Sequence, residues 1–280
     1  MRTVHTDRIK EAVKEMCIEA NLTLSPDVEK RICEAEQKET AELGKKILSQ
    51  LKENMEIAKA ESIPICQDTG MAIVFLEIGQ KVHLEGDYLE DAVNQGVREG
   101  YEEGYLRKSV VKDPLLRENT KDNTPAVIHT SIVPGDKVKV TVAPKGFGSE
   151  NMSRVCMLKP ADGEEGVKEA VLETVRMAGP NACPPMVVGV GIGGSFEKCA
   201  LLAKKALTRS LDIRSELPHI RAMEEELLTK INGLNIGPGG LGGQTTALGV
   251  NIEIYPTHIA GLPVAINICC HVNRHAVREI

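Results

Sequence analysis

The sequence predicts an α/β protein, a mixed sheet flanked by helices with a helical segment at the N-terminus. Three observations predict it: helix-spaced apolar residues over the first 60 positions, strand patterns alternating with helix patterns through the middle, and two further strand patterns near the end. At 280 residues the chain can bury a substantial core, and it reads as one domain over 1–280, with a helical part at 1–60 and an α/β part at 61–280.

From Thr6 to about Ala60, Ile9, Ala12, Val13 and Met16 recur at helix spacing, and Ser25-Pro26 gives an N-cap followed by a first-turn proline, so three helices are expected. Cys17 and Cys33 fall in line with apolar neighbours and read as buried thiols. Ala72–Ile78 reads as a buried strand, and Asp87–Glu103 as a helix ending near Gly104. Lys137–Val142 alternates strictly, as a half-exposed strand does. Glu165–Met177 is an amphipathic helix, Met186–Ile192 a β-branched run and Phe196–Leu207 another helix; Ala247–Ile254 and Val264–Ile268 are strands. There is no internal repeat, low-complexity segment or long linker.

The core must be aliphatic, because aromatic residues make up only 2% of the chain and Trp is absent. A net charge of −6, without a stripe of Lys and Arg, excludes nonspecific nucleic-acid binding, since phosphate contacts need clustered cations. No apolar run approaches the roughly 20 residues that span a bilayer, and the first residues lack the apolar stretch of a secretory signal, so a cytoplasmic protein is expected. Eight scattered cysteines do not suit a small disulfide scaffold, which leaves core and metal-ligand roles.

Chemistry is densest at Ile63-Pro64-Ile65-Cys66-Gln67-Asp68-Thr69-Gly70, where a thiol, an amide and a carboxylate lie between a proline and a glycine. If the chain is extended there, Cys66 and Asp68 face one side. Cys183 precedes a strand and Cys270 follows one, both at element boundaries where sites gather, but the three cysteines have none of the short spacing of zinc or ferredoxin motifs. Gly189–Ser195 can serve as a phosphate loop or as a tight strand-to-helix turn, although its glycines lack dinucleotide spacing. The loop Gly237–Thr246 is equally open between a ligand role and a purely structural one. Arg107 can clamp a carboxylate or be an ordinary surface residue, and His258, after a strand, can polarise a ligand or be a hydrogen-bonded structural histidine.

Taken together, Pro64–Gly70, Leu106–Ser109 with Asn119–Pro125, Lys145–Asn151, Asn181–Pro185 and Tyr255–Ala260 resemble the α subunit of iron–sulfur (class I) fumarate hydratase, and the related tartrate dehydratase α subunit, from about residue 5 to the C-terminus. Phe147 stands where the family usually has glycine, and Lys121 replaces another common glycine. The resemblance implies a 4Fe-4S cluster held by Cys66, Cys183 and Cys270, the last chosen over Cys269 because it directly precedes His271. It implies that Gln67, Asp68, Arg107, Gly148 and His258 contact a small dicarboxylate, that Asp68 is the acid–base group, and that the open iron acts as a Lewis acid in the reversible hydration of fumarate to malate. It also implies a β subunit that brings the proton-abstracting base, in an α2β2 assembly. The alternatives are tartrate dehydration and, in another class, a nucleotide-binding or subunit-interaction protein built on the glycine loops.

Overall fold

The computed structural model describes residues 2–280 and resolves the chain into two compact units. The first comprises residues up to Ser25, Glu56–Phe147 and Arg274–Ile280; the second comprises Pro26–Met55 and Gly148–Asn273. The N-terminal helices are divided between them.

In chain order, the first unit holds β1 (Arg2–His5), α1 (Thr6–Leu22), β2 (Met71–Gly79), β3 (Val82–Glu85), α4 (Leu89–Glu103), β4 (Val127–Val133), β5 (Val138–Lys145) and β10 (Ala276–Glu279). The second holds α2 (Pro26–Lys38), β6 (Arg154–Leu158), α6 (Gly163–Ala178), β7 (Met186–Gly193), α7 (Phe196–Ala206), α8 (Pro218–Asn232), β8 (Ala247–Tyr255) and β9 (Leu262–Cys269). Helix α3 (Glu42–Glu61) runs from the second unit into the first, and the single turn α5 (Phe147–Glu150) stands at the other boundary.

The sheet of the first unit has the order β10-β5-β2-β4, with β2 parallel to β4 and antiparallel to β5, while β1 and β3 form a separate parallel pair. The strand expected at Ala72–Ile78 is β2, and it is almost continuously buried. Ile9, Val13 and Met16 of α1 and Val93, Val97 and Tyr101 of α4 pack with Val74 and Leu76 of β2 and with Val138, Val140 and Val142 of β5. The alternation read at 137–142 is therefore real only at its start, since β5 is buried from Val140 onward.

In the second unit the order is β6-β9-β7-β8; β7 and β8 are parallel, and β9 runs antiparallel to both its neighbours. Val171 and Val175 of α6 and Leu227 and Ile231 of α8 cover one face, and Cys199 and Ala203 of α7 cover the other against Ala265. The glycines of the 189–195 segment have a packing reason. A Cβ on Gly189 would sit 2.3 Å from the Ala203 carbonyl oxygen, and one on Gly191 would sit 2.0 Å from that of Cys199, so α7 lies directly on the β7 backbone. Among the described residues, no helix is long and apolar enough to cross a membrane.

Candidate active site

In the first unit the segment between α3 and β2 bends at Ile65–Gln67, so the same-side rule of extended chain does not orient Cys66 and Asp68. Hydrogen bonds orient Asp68 instead. Gly70 takes a φ of +79°, and a Cβ there would lie 2.7 Å from the Lys145 nitrogen, so only glycine fits. The Asp68 carboxylate accepts from the Gly70 N–H through Oδ1 at 3.0 Å and from the Phe147 N–H through Oδ2 at 2.9 Å. The Thr69 hydroxyl donates to the Arg107 carbonyl at 3.0 Å, which ties Arg107 to the turn while its side chain stays exposed. Gln67 is exposed as well, and Cys66 is half-buried.

Three consecutive carbonyls of this turn are held by buried side chains. Arg274 Nη2 donates to Asp68, the Tyr101 hydroxyl to Thr69 at 2.8 Å and to Gly70 at 3.0 Å, and Asn123 Nδ2 to Gly70 at 3.2 Å. Burial pushes the Tyr101 hydroxyl far above its usual range, which keeps it protonated as a donor. Asn123 also accepts from the Ser109 N–H at 2.7 Å, so the 119–125 motif clamps the Arg107 segment to the Cys66 turn. Asn123, Tyr101 and Arg274 carry no signal of this role in sequence, apart from the place of Asn123 inside a motif.

In the second unit Cys183 follows a short 3-10 turn with φ +49° and precedes Pro184-Pro185; its side chain is exposed. Because β7 and β9 are antiparallel, with Val187 opposite Cys269, the start of β7 and the end of β9 share one end of the sheet. There the Cys183 carbonyl lies 3.0 Å from His271 Nδ1 and also receives the His271 N–H at 3.4 Å. Cys269 is buried within β9, whereas Cys270 is half-buried just past it. Gly148 belongs to the same end: Glu150 of α5 accepts from Asn267 of β9 at 2.8 Å, and Ser153 accepts from the Ile268 N–H at 3.0 Å. A Cβ on Gly148 would meet nothing within 4 Å, so that backbone faces open space.

The second glycine loop braces this end. The Gly239 N–H donates to the Pro184 carbonyl at 2.8 Å, and Gly240 lies against Pro180. The Glu39 carboxylate, almost wholly buried, receives the N–H groups of Thr40, Ala41, Gln244 and Thr245. Burial alone would raise its pKa, but those four donors together hold it below the usual carboxylate value. Glu39 escaped sequence reasoning because its partners lie about 200 residues away.

His258 is not brought to this end. The parallel pairing of β7 and β8 carries the loop after β8 to the far end of β7, where the Gly194 N–H donates to Pro256 and the Thr257 hydroxyl donates to Gly194. Eight strand residues separate the two ends, or ~25 Å at about 3.3 Å per residue. The sequence reading groups His258 with the substrate contacts; in this unit its loop lies at the opposite end of β7 from Cys183 and Cys270. His258 is exposed, and its Nδ1 accepts from the Ala260 N–H at 3.1 Å.

Among the described residues, no three His, Cys, Asp or Glu side chains stand together as a ready-made metal site. The donor set nevertheless suits an iron–sulfur group: Cys66, Cys183 and Cys270 are soft ligands outside any disulfide, and each sits on a loop rather than in a core. Cys17 differs, since complete burial pushes its thiol up to about 12.

Residues 10–279 match the family described as fumarate hydratase (fumerase), and the chain belongs to that family. A Methanocaldococcus jannaschii protein provisionally named L(+)-tartrate dehydratase subunit alpha is 44% identical over 279 residues, covering 98% of each chain. L(+)-tartrate dehydratase α subunits of Escherichia coli are 31% identical; one aligns over 277 residues, covering 98% of this chain and 91% of the relative, and the K12 protein over 271.

Proposed function

We propose that this chain is the α subunit of a two-subunit iron–sulfur hydro-lyase that adds water reversibly to fumarate to give malate. Membership of the fumarate hydratase family over nearly the whole chain is the observation that carries this reading. Cys66, Cys183 and Cys270 would hold a 4Fe-4S cluster, which when bound supplies a Lewis acid at the one iron without a protein ligand. Arg107, with its exposed guanidinium, pairs with a substrate carboxylate in bidentate fashion. The Gln67 amide hydrogen-bonds the substrate, and the bare backbone at Gly148 lets it approach closely. Asp68, its carboxylate fixed by two N–H groups, carries the proton that accompanies the leaving hydroxyl.

A β subunit, implied by the subunit names of the relatives, brings the base that abstracts the carbon-bound proton. Assembly is as α2β2, in the cytoplasm. A second reading, dehydration of L(+)-tartrate, is favoured by those same names.

Co-expression with the β subunit, followed by anaerobic assays of fumarate, malate and both tartrate enantiomers with iron and sulfide analysis, tests the proposal. Turnover of fumarate and malate above tartrate is expected from the complex and none from the α chain alone. A complex that contains no iron and turns over none of the four overturns it.

A further inference from the structure

Arg274 is 4% exposed and follows Cys270 by four residues. Its guanidinium donates to the Asp68 carbonyl through Nη2 and to the Pro144 carbonyl through Nε at 3.4 Å, while Nη1 is buried with no protein partner. It forms no ion pair among the described residues, so only carbonyl dipoles offset a buried charge, an unfavourable state for a group serving stability alone. The neutral donors beside it, Tyr101 and Asn123, are fully buried and reach the next two carbonyls.

A trans peptide is planar, so gripping the Asp68 oxygen fixes the whole plane that joins Asp68 to Thr69. That plane sets the direction in which Asp68 leaves the backbone, while the Gly70 N–H that its carboxylate receives lies in the next plane, held by Tyr101 through the Thr69 carbonyl. The same guanidinium is anchored to Pro144, three residues before Phe147, whose N–H donates to the other carboxylate oxygen. Arg274 thus bridges the two backbone segments that hold Asp68.

We infer that Arg274 is a positioning residue for Asp68, acting through the backbone on both sides of the carboxylate. The catalytic consequence rests on the hydro-lyase reading; the mechanical one does not. Lysine at this place keeps the charge but cannot fork between two carbonyls, and methionine keeps volume while losing both donors.

The test uses the αβ complex as wild type, R274K and R274M. Amide hydrogen exchange at Gly70 and Phe147 is expected to rise about tenfold in R274M and less in R274K, with exchange in β7 unchanged. Turnover of the preferred dicarboxylate is expected to fall about 100-fold in kcat for R274M, with KM within about threefold, since small misplacements of a reacting group carry losses of that order. Wild-type exchange at Gly70 and Phe147, kcat within twofold of wild type, or faster exchange throughout the molecule in both variants overturns the inference. A wild-type complex that turns over no dicarboxylate defeats the hydro-lyase reading instead, and the exchange arm still decides Arg274.

Discussion

The Cys66 turn and the Cys183 loop each carry one of the thiols proposed as cluster ligands, yet the chain holds the two loops by opposite chemistry. At Cys66, N–H and O–H donors of Arg274, Tyr101 and Asn123 grip carbonyl oxygens. At Cys183, the brace is a glycine loop whose N–H groups are gripped by one carboxylate, Glu39. Three separate donors share the first task, and none of them loses its proton-donating form in mild acid. The second depends on a single titratable group, so the two loops should differ in their response to acid and in their tolerance of point mutation.

The largest expected effect erases the comparison. Cys66→Ser and Cys183→Ser should each remove essentially all bound iron, sulfide and activity, whereas Cys269→Ala should stay within twofold of wild type because Cys269 is buried in β9. Full iron content in either serine variant breaks the equivalence of the two loops. Next in size, Glu39→Gln should lower unfolding free energy by about 3 kcal/mol in denaturant titrations, because an NH2 group would then confront N–H groups in a buried place. Asn123→Ala should cost about 2 kcal/mol, with a matching loss of kcat, since its amide serves both Gly70 and Ser109.

The smallest effect is the pH response. The folded-state pKa of Glu39 is depressed, so its contribution is complete above its ordinary value of 4.5 and is lost as pH falls through the lowered one. The gap between wild type and Glu39→Gln should therefore narrow below about pH 4.5 in stability measurements. Near the Cys66 turn the carboxylate to compare is Asp122. Burial opposes its ionisation, but the Thr124 N–H, Arg98 and the hydroxyls of Thr124 and Thr120 hold it at about 2. Its contribution should be complete above 3.8 and fade as pH falls from there through about 2, so its loss begins at lower pH than that of Glu39.

The sequence made β2, α4, α6, β7, α7, β8 and β9 legible because each is a long run with one clear period. It left β4 unread, since Val127–Val133 is only partly covered and breaks its apolar run with His129, Thr130 and Ser131. Helix α8 also went unread, although Pro218 followed by Ile220, Met223, Leu227 and Ile231 carries a first-turn proline and helix spacing. Of the site, Cys66, Asp68, Arg107, Cys183 and Cys270 stood out because their motifs are local. Arg274, Tyr101 and Glu39 did not, because each acts on the backbone of a distant segment and backbone groups leave no trace in residue identity. The far-end location of His258 was hidden for a related reason: a motif records neighbours along the chain, while the parallel β7–β8 pairing decides at which sheet end that motif emerges.

The last residues of the chain lie in the same unit as the first ones: β10 pairs with β5, Arg278 reaches Glu15 and Glu19 of α1, and Arg2 donates to the Ile280 carbonyl at 3.0 Å. On a ribosome this unit stays unfinished until synthesis has passed Arg274, whereas every residue of the other unit has already been made. The second unit is free to mature while translation continues, and the first must wait with its β5 edge unpaired until β10 emerges.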